Sequence, residues 1–295
     1  MRSAQASRSL RPVPPELPSF DLVVATAERT AELGRLLDSL ETQSHRRFRV
    51  IVVDQNEDAR LDDVLAGRGL DLLHLTSGRG LSRARNAGLE HVSADLVAFP
   101  DDDCVYPPNL LARLGTLFAA NAGLDGVTGR AEDAQGRSAA SWKPDPVVLT
   151  DDNLWNRAIS FTIFVRRATV ERVGAFDERL GLGSLEPWCS AEEIDYLIRA
   201  IRAGARIEYD PSLVVEHGVG VDDATVGLRD GASVGYLLRK HRYSARSVGR
   251  MLVRPAGGVV VSLARGDRAR ASFHAATLRG RVRGYLGASS SKISR

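Results

Sequence analysis

Residues 95–103 read Asp95-Leu96-Val97-Ala98-Phe99-Pro100-Asp101-Asp102-Asp103. An unbroken apolar run of this length fits a strand covered on both faces, as in a parallel sheet. Proline ends it where three carboxylates begin. Working back towards the N-terminus, the pattern repeats. An apolar run at Leu22–Ala25 precedes Thr30 and then Leu33, Leu36, Leu37 and Leu40 at helical spacing. A second run, Arg49–Val53, ends at Asp54. A short one, Leu72–Leu75, leads into the turn Gly78-Arg79-Gly80, and a helix follows from about Ser82 to His91. Strands alternating with helices at this spacing predict an α/β fold with a mostly parallel central sheet flanked by helices. In such folds ligands bind beyond the carboxyl ends of the strands. Asp54 and the triplet Asp101–Asp103 both lie at such ends.

Towards the C-terminus the spacing predicts a helix at about 108–120, then polar, glycine-containing sequence to about Asn156. A strand near 160–165, a helix near 168–173, a loop with Gly181 and Gly183, and a helix at 190–203 follow. A strand at 206–209 is expected to stop at Pro211. From Gly227 onward only basic amphipathic helices are apparent.

The charge is unevenly placed along the 295 residues. Residues 229–295 hold 15 Lys and Arg against two acids, Asp230 and Asp267, whereas residues 19–228 hold 22 basic against 34 acidic residues. An acidic body is thus followed by a basic extension. Nucleic acid is not the expected partner, because the extension offers few aromatics (Tyr236, Tyr243, Phe273, Tyr285) and no binding motif. Arginines flanking Met251–Val253 and Val259–Leu263 fit an anionic membrane surface instead. The longest apolar stretch, Gly257–Ala264, is far too short to span a bilayer. The two cysteines, Cys104 and Cys189, read as reduced thiols of a cytoplasmic protein.

Three adjacent carboxylates repel one another, and hard divalent cations are their natural compensation. On the helix after Gly80, Arg83 and Asn86 are three apart and share a face, with Arg85 turned away. Gly78-x-Gly80 lacks the third glycine of a dinucleotide fingerprint and follows the third strand, and with three lysines in the chain there is no phosphate-binding Walker sequence. Ser190-Ala191-Glu192-Glu193 reads as a capping box that would occupy Glu193.

Together, Val50–Asp54, Gly80-Leu-Ser-Arg-Ala-Arg-Asn-Ala-Gly88, Ala98–Asp103 and Glu192-Glu-Ile-Asp195 resemble family 2 glycosyltransferases of GT-A fold; Gly174–Glu178 and Pro211 followed by His217 resemble that family's later motifs. The similarity covers about residues 20–220. It implies a GT-A catalytic domain over 19–226; Pro12, Pro14, Pro15 and Pro18 read as a disordered leader over 1–18, and the charge pattern as a basic amphipathic helical extension over 227–295. The resemblance further implies an inverting enzyme that moves a sugar from a UDP-, dTDP- or GDP-linked donor to a glycan or lipid-linked acceptor, peripheral on the inner face of the plasma membrane; a homodimer is one open alternative for its assembly. Thr26, Glu28, Arg29, Asp54, Arg83, Asn86, Asp101 and Asp102 are the implied donor contacts. Asp103, Asp101 and His217 are the implied ligands of Mn2+ or Mg2+. Glu193, standing where the family usually has Asp, or Glu192, is the implied base, with Trp188 and Asp195 towards the acceptor. A nucleotidyltransferase, or a non-catalytic carbohydrate- or membrane-binding module, are the alternatives.

Overall fold

The computed structural model describes residues 16–138, 142–218 and 223–287. Most of the leader expected over 1–18 and the end of the basic extension, 288–295, lie outside the described residues. The elements in chain order are β1 (Phe20–Thr26), α1 (Ala31–Glu41), β2 (Phe48–Asp54), α2 (Asp62–Leu65), β3 (Asp71–Thr76), α3 (Leu81–Leu89), β4 (Leu96–Ala98), β5 (Cys104–Val105), α4 (Leu110–Ala120), β6 (Gly126–Glu132), β7 (Val147–Val148), β8 (Ile163–Arg166), α5 (Arg167–Val173), α6 (Glu192–Arg202), β9 (Ile207–His217), α7 (Ala224–Lys240), α8 (Ala245–Ala264) and α9 (Arg268–Gly287).

One sheet runs β3-β2-β1-β4-β8-β6-β9-β5, with β7 on β9. The first four strands are parallel, as their apolar runs predict. Beyond β4 the sheet is mixed: β8 is antiparallel to β4 and β6, while β6 and β9 are parallel. Alternation splits the strand residues between two cores. Leu22 and Val24 face α1 and α4, and Val23 and Ala25 face the side of α3 and α6. The α1 leucines 33, 36, 37 and 40 are fully buried, each contributing on the order of 1.5–3 kcal/mol.

Besides the short elements α2, β5 and β7, which the sequence does not announce, β6 and β9 differ from the sequence expectation. β6, Gly-Val-Thr-Gly-Arg-Ala-Glu, is a strand between β8 and β9 although glycine and polar residues hide its period. β9 does not stop at Pro211. The register with β6 shifts between Thr128 and Arg130, so the segment around Pro211 bulges out and the ladder resumes at Val214. A proline without a ladder donor is accommodated in such an irregularity. The continuation matters, because it carries the chain to His217.

No helix among the described residues is long and apolar enough to cross a membrane. α7 starts behind Asp223, whose carboxylate accepts the Val226 amide at 2.9 Å, and spans residue 227, where the composition turns basic. Its Ala232, Tyr236 and Leu237 join the core of α6. α9 lies directly on α7: a Cβ on Gly231 would stand 2.4 Å from the Thr277 carbonyl, and one on Gly284 1.9 Å from that of Ala232. Only glycine permits this backbone-on-backbone contact.

Candidate active site

The acid triplet sits where the topology concentrates strand ends. β1 and β4 are parallel neighbours, and a bridge between Ala25 and Asp101 sets the triplet beside the end of β1. β5 follows at once and pairs Cys104 with His217 at the end of β9. The ladder thus fixes His217 next to Asp103.

The three carboxylates avoid mutual repulsion by turning to different partners. Asp101 accepts from Arg85 Nη2 at 2.9 Å and Ser160 Oγ at 3.1 Å. Asp102 accepts from Thr26 Oγ1 at 2.7 Å and Arg29 Nη1 at 2.8 Å. Asp103 meets Arg29 Nη1 at 2.5 Å and His217 Nε2 at 3.0 Å. Burial pushes the carboxyls of Asp101 and Asp102 upward. Asp103 is desolvated too, but His217 and Arg29 hold it below the usual carboxylate range. Thr26 is buried with its hydroxyl committed to Asp102, so it shapes the loop rather than facing open solvent; Arg29 is half exposed.

At the other side of β1, Asp54 is buried and accepts both the amide and side-chain N–H of Asn56, at 2.8 and 2.7 Å, with His74 Nε2 3.3 Å from its second oxygen. Glu28, at a φ of 67°, donates its amide to Asn56 Oδ1 and pairs with Arg79. The first loop, the end of β2 and the Gly78–Gly80 turn therefore form one polar rim.

α3 turns a different face inward from the one expected. Arg83 is exposed and pairs with Glu178 at 3.2 Å. Asn86 clamps the backbone of Phe176, accepting from its amide at 2.7 Å and donating to its carbonyl at 3.1 Å. Neither is aimed at the acid triplet. Arg85 is: it is 1% exposed, with Nη1 2.6 Å from Glu192 Oε1 and Nη2 on Asp101, and its guanidinium lies 5.6 Å from the Phe176 ring centroid. A missed signal lay in Gly88. A Cβ there would stand 2.4 Å from Val23 Cγ1, so Gly88 marks the face packed on the sheet, and Arg85 is one turn away on it.

The capping box does not form. Ala191, at a φ of 64°, precedes α6 without a side-chain cap, and Ser190 Oγ goes to α7, 3.0 Å from Asp230 and 2.9 Å from Ser233. Glu193 is thereby free of a capping role. It is half-buried, and desolvation together with the neighbouring Glu192 raises its pKa. Glu192 is buried against Arg85. The two residues expected towards the acceptor are placed otherwise. Asp195 is fully buried and held by Arg199 at 2.9 Å, Lys240 at 2.5 Å and His241 at 2.8 Å, with no open side for a sugar. Trp188 stacks on Tyr236 of α7, centroids 4.6 Å apart and planes at 7°, and is 7% exposed.

Asp101, Asp103 and His217 offer ligand atoms within 4.8 Å of one another. The set fits a divalent cation on its own chemistry. His217 stacks on Phe161 and its Nδ1 lies 2.7 Å from the Gly218 carbonyl, which can only accept, so Nδ1 carries the hydrogen. Without a cation Nε2 stands 3.0 Å from the buried Oδ1 of Asp103, and against the pull of burial this ion pair raises the His217 pKa; with a cation bound, the neutral ring would offer its Nε2 lone pair in the same direction. Two carboxylates and an imidazole nitrogen turned together in this way suit Mn2+ or Mg2+.

Comparison with known proteins bears on the family and the fold. The Glycosyl transferase family 2 pattern matches residues 21–179. The pre-mycofactocin glycosyltransferase of Mycobacterium tuberculosis is 29% identical over 225 residues, 70% of this chain, and the chain spans only 44% of that relative's length. Succinoglycan biosynthesis protein ExoM of Rhizobium meliloti is 25% identical over 258 residues, covering 84% of this chain and 79% of that protein. Among solved structures, mannosyltransferase PcManGT from Pyrobaculum calidifontis, in complex with GDP-Man and Mn2+, superposes with a TM-score of 0.65 at 15% identity, covering 96% of this chain and 91% of that one. S. aureus TarS in complex with UDP gives 0.56 at 18% identity, covering 90% and 91%. The structural likenesses establish a GT-A fold with a mixed sheet. With more than half of its length matched, this chain belongs to glycosyl transferase family 2.

Proposed function

We propose that the protein is an inverting, divalent-metal-dependent glycosyltransferase that takes a sugar from a UDP-, dTDP- or GDP-linked donor to a hydroxyl of a glycan or lipid-linked acceptor. The observation that carries this reading is Arg85, one buried guanidinium holding Asp101 of the candidate metal set and Glu192 next to the candidate base. It ties the donor end of the site to its acceptor end.

In this reading Asp101, Asp103 and His217 hold the cation. When bound, it neutralises charge developing on the leaving diphosphate. Asp54 and the Glu28 loop receive the nucleoside, where a carboxylate accepts from base N–H or ribose hydroxyl groups. Arg29 meets the anionic donor in this reading, supported by its half-exposed guanidinium and its bond to Asp102. Glu193 takes the proton of the acceptor hydroxyl as that oxygen attacks the anomeric carbon opposite the leaving group. Glu192, pinned by Arg85, is the poorer choice for that transfer. A lipid-linked acceptor places the enzyme at the inner face of the plasma membrane as a peripheral protein.

The test combines ligand stabilisation with product analysis. UDP, GDP or dTDP should raise the melting temperature with Mn2+ and do so weakly without it, and turnover should release a nucleoside diphosphate. Pyrophosphate as product would assign a nucleotidyltransferase, and no turnover of any sugar nucleotide a non-catalytic module. A second prediction concerns pH. A base must be ionised to accept a proton, and burial together with the neighbouring Glu192 pushes the Glu193 carboxyl upward. The rate constant kcat/KM should therefore climb with pH through an acid limb that lies above the usual carboxylate range. Glu193→Gln should cost on the order of 100- to 10,000-fold and flatten this acid limb. If the limb stays in the Gln variant, the base is elsewhere.

A further inference from the structure

α8 carries an exposed stripe that the donor site does not use. Arg246, Arg250, Val253, Gly257, Val260 and Ala264 follow at steps of three and four, which places them along one side of the helix, and all are exposed. The other side is closed, with Pro255 and Ser262 buried. The first half of α8 is tied to the catalytic body, Arg250 to Asp152 at 2.8 Å and Arg254 to Asn156 at 3.0 Å. The second half stands open, with Val260 67%, Val261 50% and Leu263 59% exposed, and Val253, 69% exposed two turns earlier, continues the same side. A contiguous aliphatic patch of this kind marks an interaction surface, where a single exposed Leu does not. At the turn into α9, Arg265, Arg268 and Arg270 are exposed. Asp267, the one acid from residue 231 to the C-terminus, is already engaged as a cap on the Arg270 amide at 2.9 Å.

We propose that the second half of α8 and the α8–α9 turn dock on an anionic lipid bilayer, the aliphatic side chains entering the headgroup boundary and the arginines meeting lipid phosphates. The proposal deepens the reading of a peripheral enzyme and rests on it for the location. Cations flanking an aliphatic edge are the pattern of interfacial helices. A second copy fits less well, since it would bring two strongly basic hairpins together. Single-stranded nucleic acid would call for aromatic stacking surfaces, which the stripe lacks.

The test is sedimentation of the full-length chain with vesicles of mixed phosphatidylglycerol and phosphatidylcholine, against phosphatidylcholine alone. The chain should bind the anionic vesicles and release with rising salt. The triple variant R265Q/R268Q/R270Q should weaken binding on the order of 100-fold. The variant V260D/V261D should remove it. Both should keep the Mn2+-dependent stabilisation by nucleotide, because the changed residues lie on the surface of α8 and α9. Absence of binding, binding indifferent to lipid charge, or binding that survives both variants overturns the proposal. So does a dimer in lipid-free solution that V260D/V261D disperses, which would assign the face to a second copy. If vesicle binding behaves as stated while no nucleotide stabilises the protein, the glycosyltransferase reading fails and the docking surface stands.

Discussion

Asp103→Ala is expected to lower sugar transfer by roughly a thousandfold or more while leaving the fold in place. The loss follows from the position of Asp103 between Arg29 and His217. A cation held there supplies several kcal/mol of charge stabilisation to the departing diphosphate, and about 4 kcal/mol corresponds to a thousandfold in rate. The fold should survive for local reasons. Arg29 keeps Asp102 as a partner, and His217 keeps its stack on Phe161 and its bond to the Gly218 carbonyl. Three readouts check this together: nucleoside diphosphate release, the Mn2+-dependent melting shift with UDP or GDP, and far-ultraviolet circular dichroism. Loss of the first two with an unchanged spectrum is the expected result. Near-normal turnover that still depends on metal would sink the assignment of the cation to this cluster.

Arg85→Met should act on stability first. The side chain is almost fully buried and holds two carboxylates, Asp101 and Glu192. Methionine fills similar volume but leaves both carboxylates unpartnered by a cation, and breaking a buried pair in this way typically costs about 3–5 kcal/mol. For a chain of this size that is a drop of roughly 10 °C in melting temperature. Acid should partly rescue the variant, since protonation relieves an unpaired buried carboxylate. Arg85→Lys restores charge but not the two-pronged reach, so it should regain part of the stability and little of the activity. A methionine variant that melts like the parent would show that Arg85 does not organise the site.

The first half of the fold was legible because its signals are local. Unbroken apolar runs at β1, β2 and β4, leucines at helical spacing in α1, and acids after the strands depend on sequence alone. β6 was hidden because its glycines and polar residues serve contacts with distant strands. Pro211 misled because a bulge, not an end, absorbs it. The candidate metal set, as a set of three, was readable only through family resemblance: Asp103 and His217 are 114 positions apart by number, and the two-residue strand β5 that joins them carries almost no pattern. Arg85 illustrates a different limit. Helical spacing shows which residues share a face, yet which face meets the sheet is decided by packing, here by Gly88 on Val23. Asp195 and Trp188 look available in the sequence because the helix that buries them, α7, comes some forty residues later and is disguised by its charge.

The glycine contact between α7 and α9 also has a mechanical meaning. Side chains that interdigitate can yield a little in every direction, but two backbones touching at Gly231 and Gly284 have no such play. α7 in turn is bolted to α6 by Lys240 and His241 on Asp195, a few residues from Glu193. The C-terminal hairpin is thus a stiff bracket rather than a tether. If α8 docks as proposed, the bracket would hold the carboxylates of α6 at a set height and tilt above that surface, so reach towards an acceptor would be determined by helix geometry and not by the length of a flexible arm.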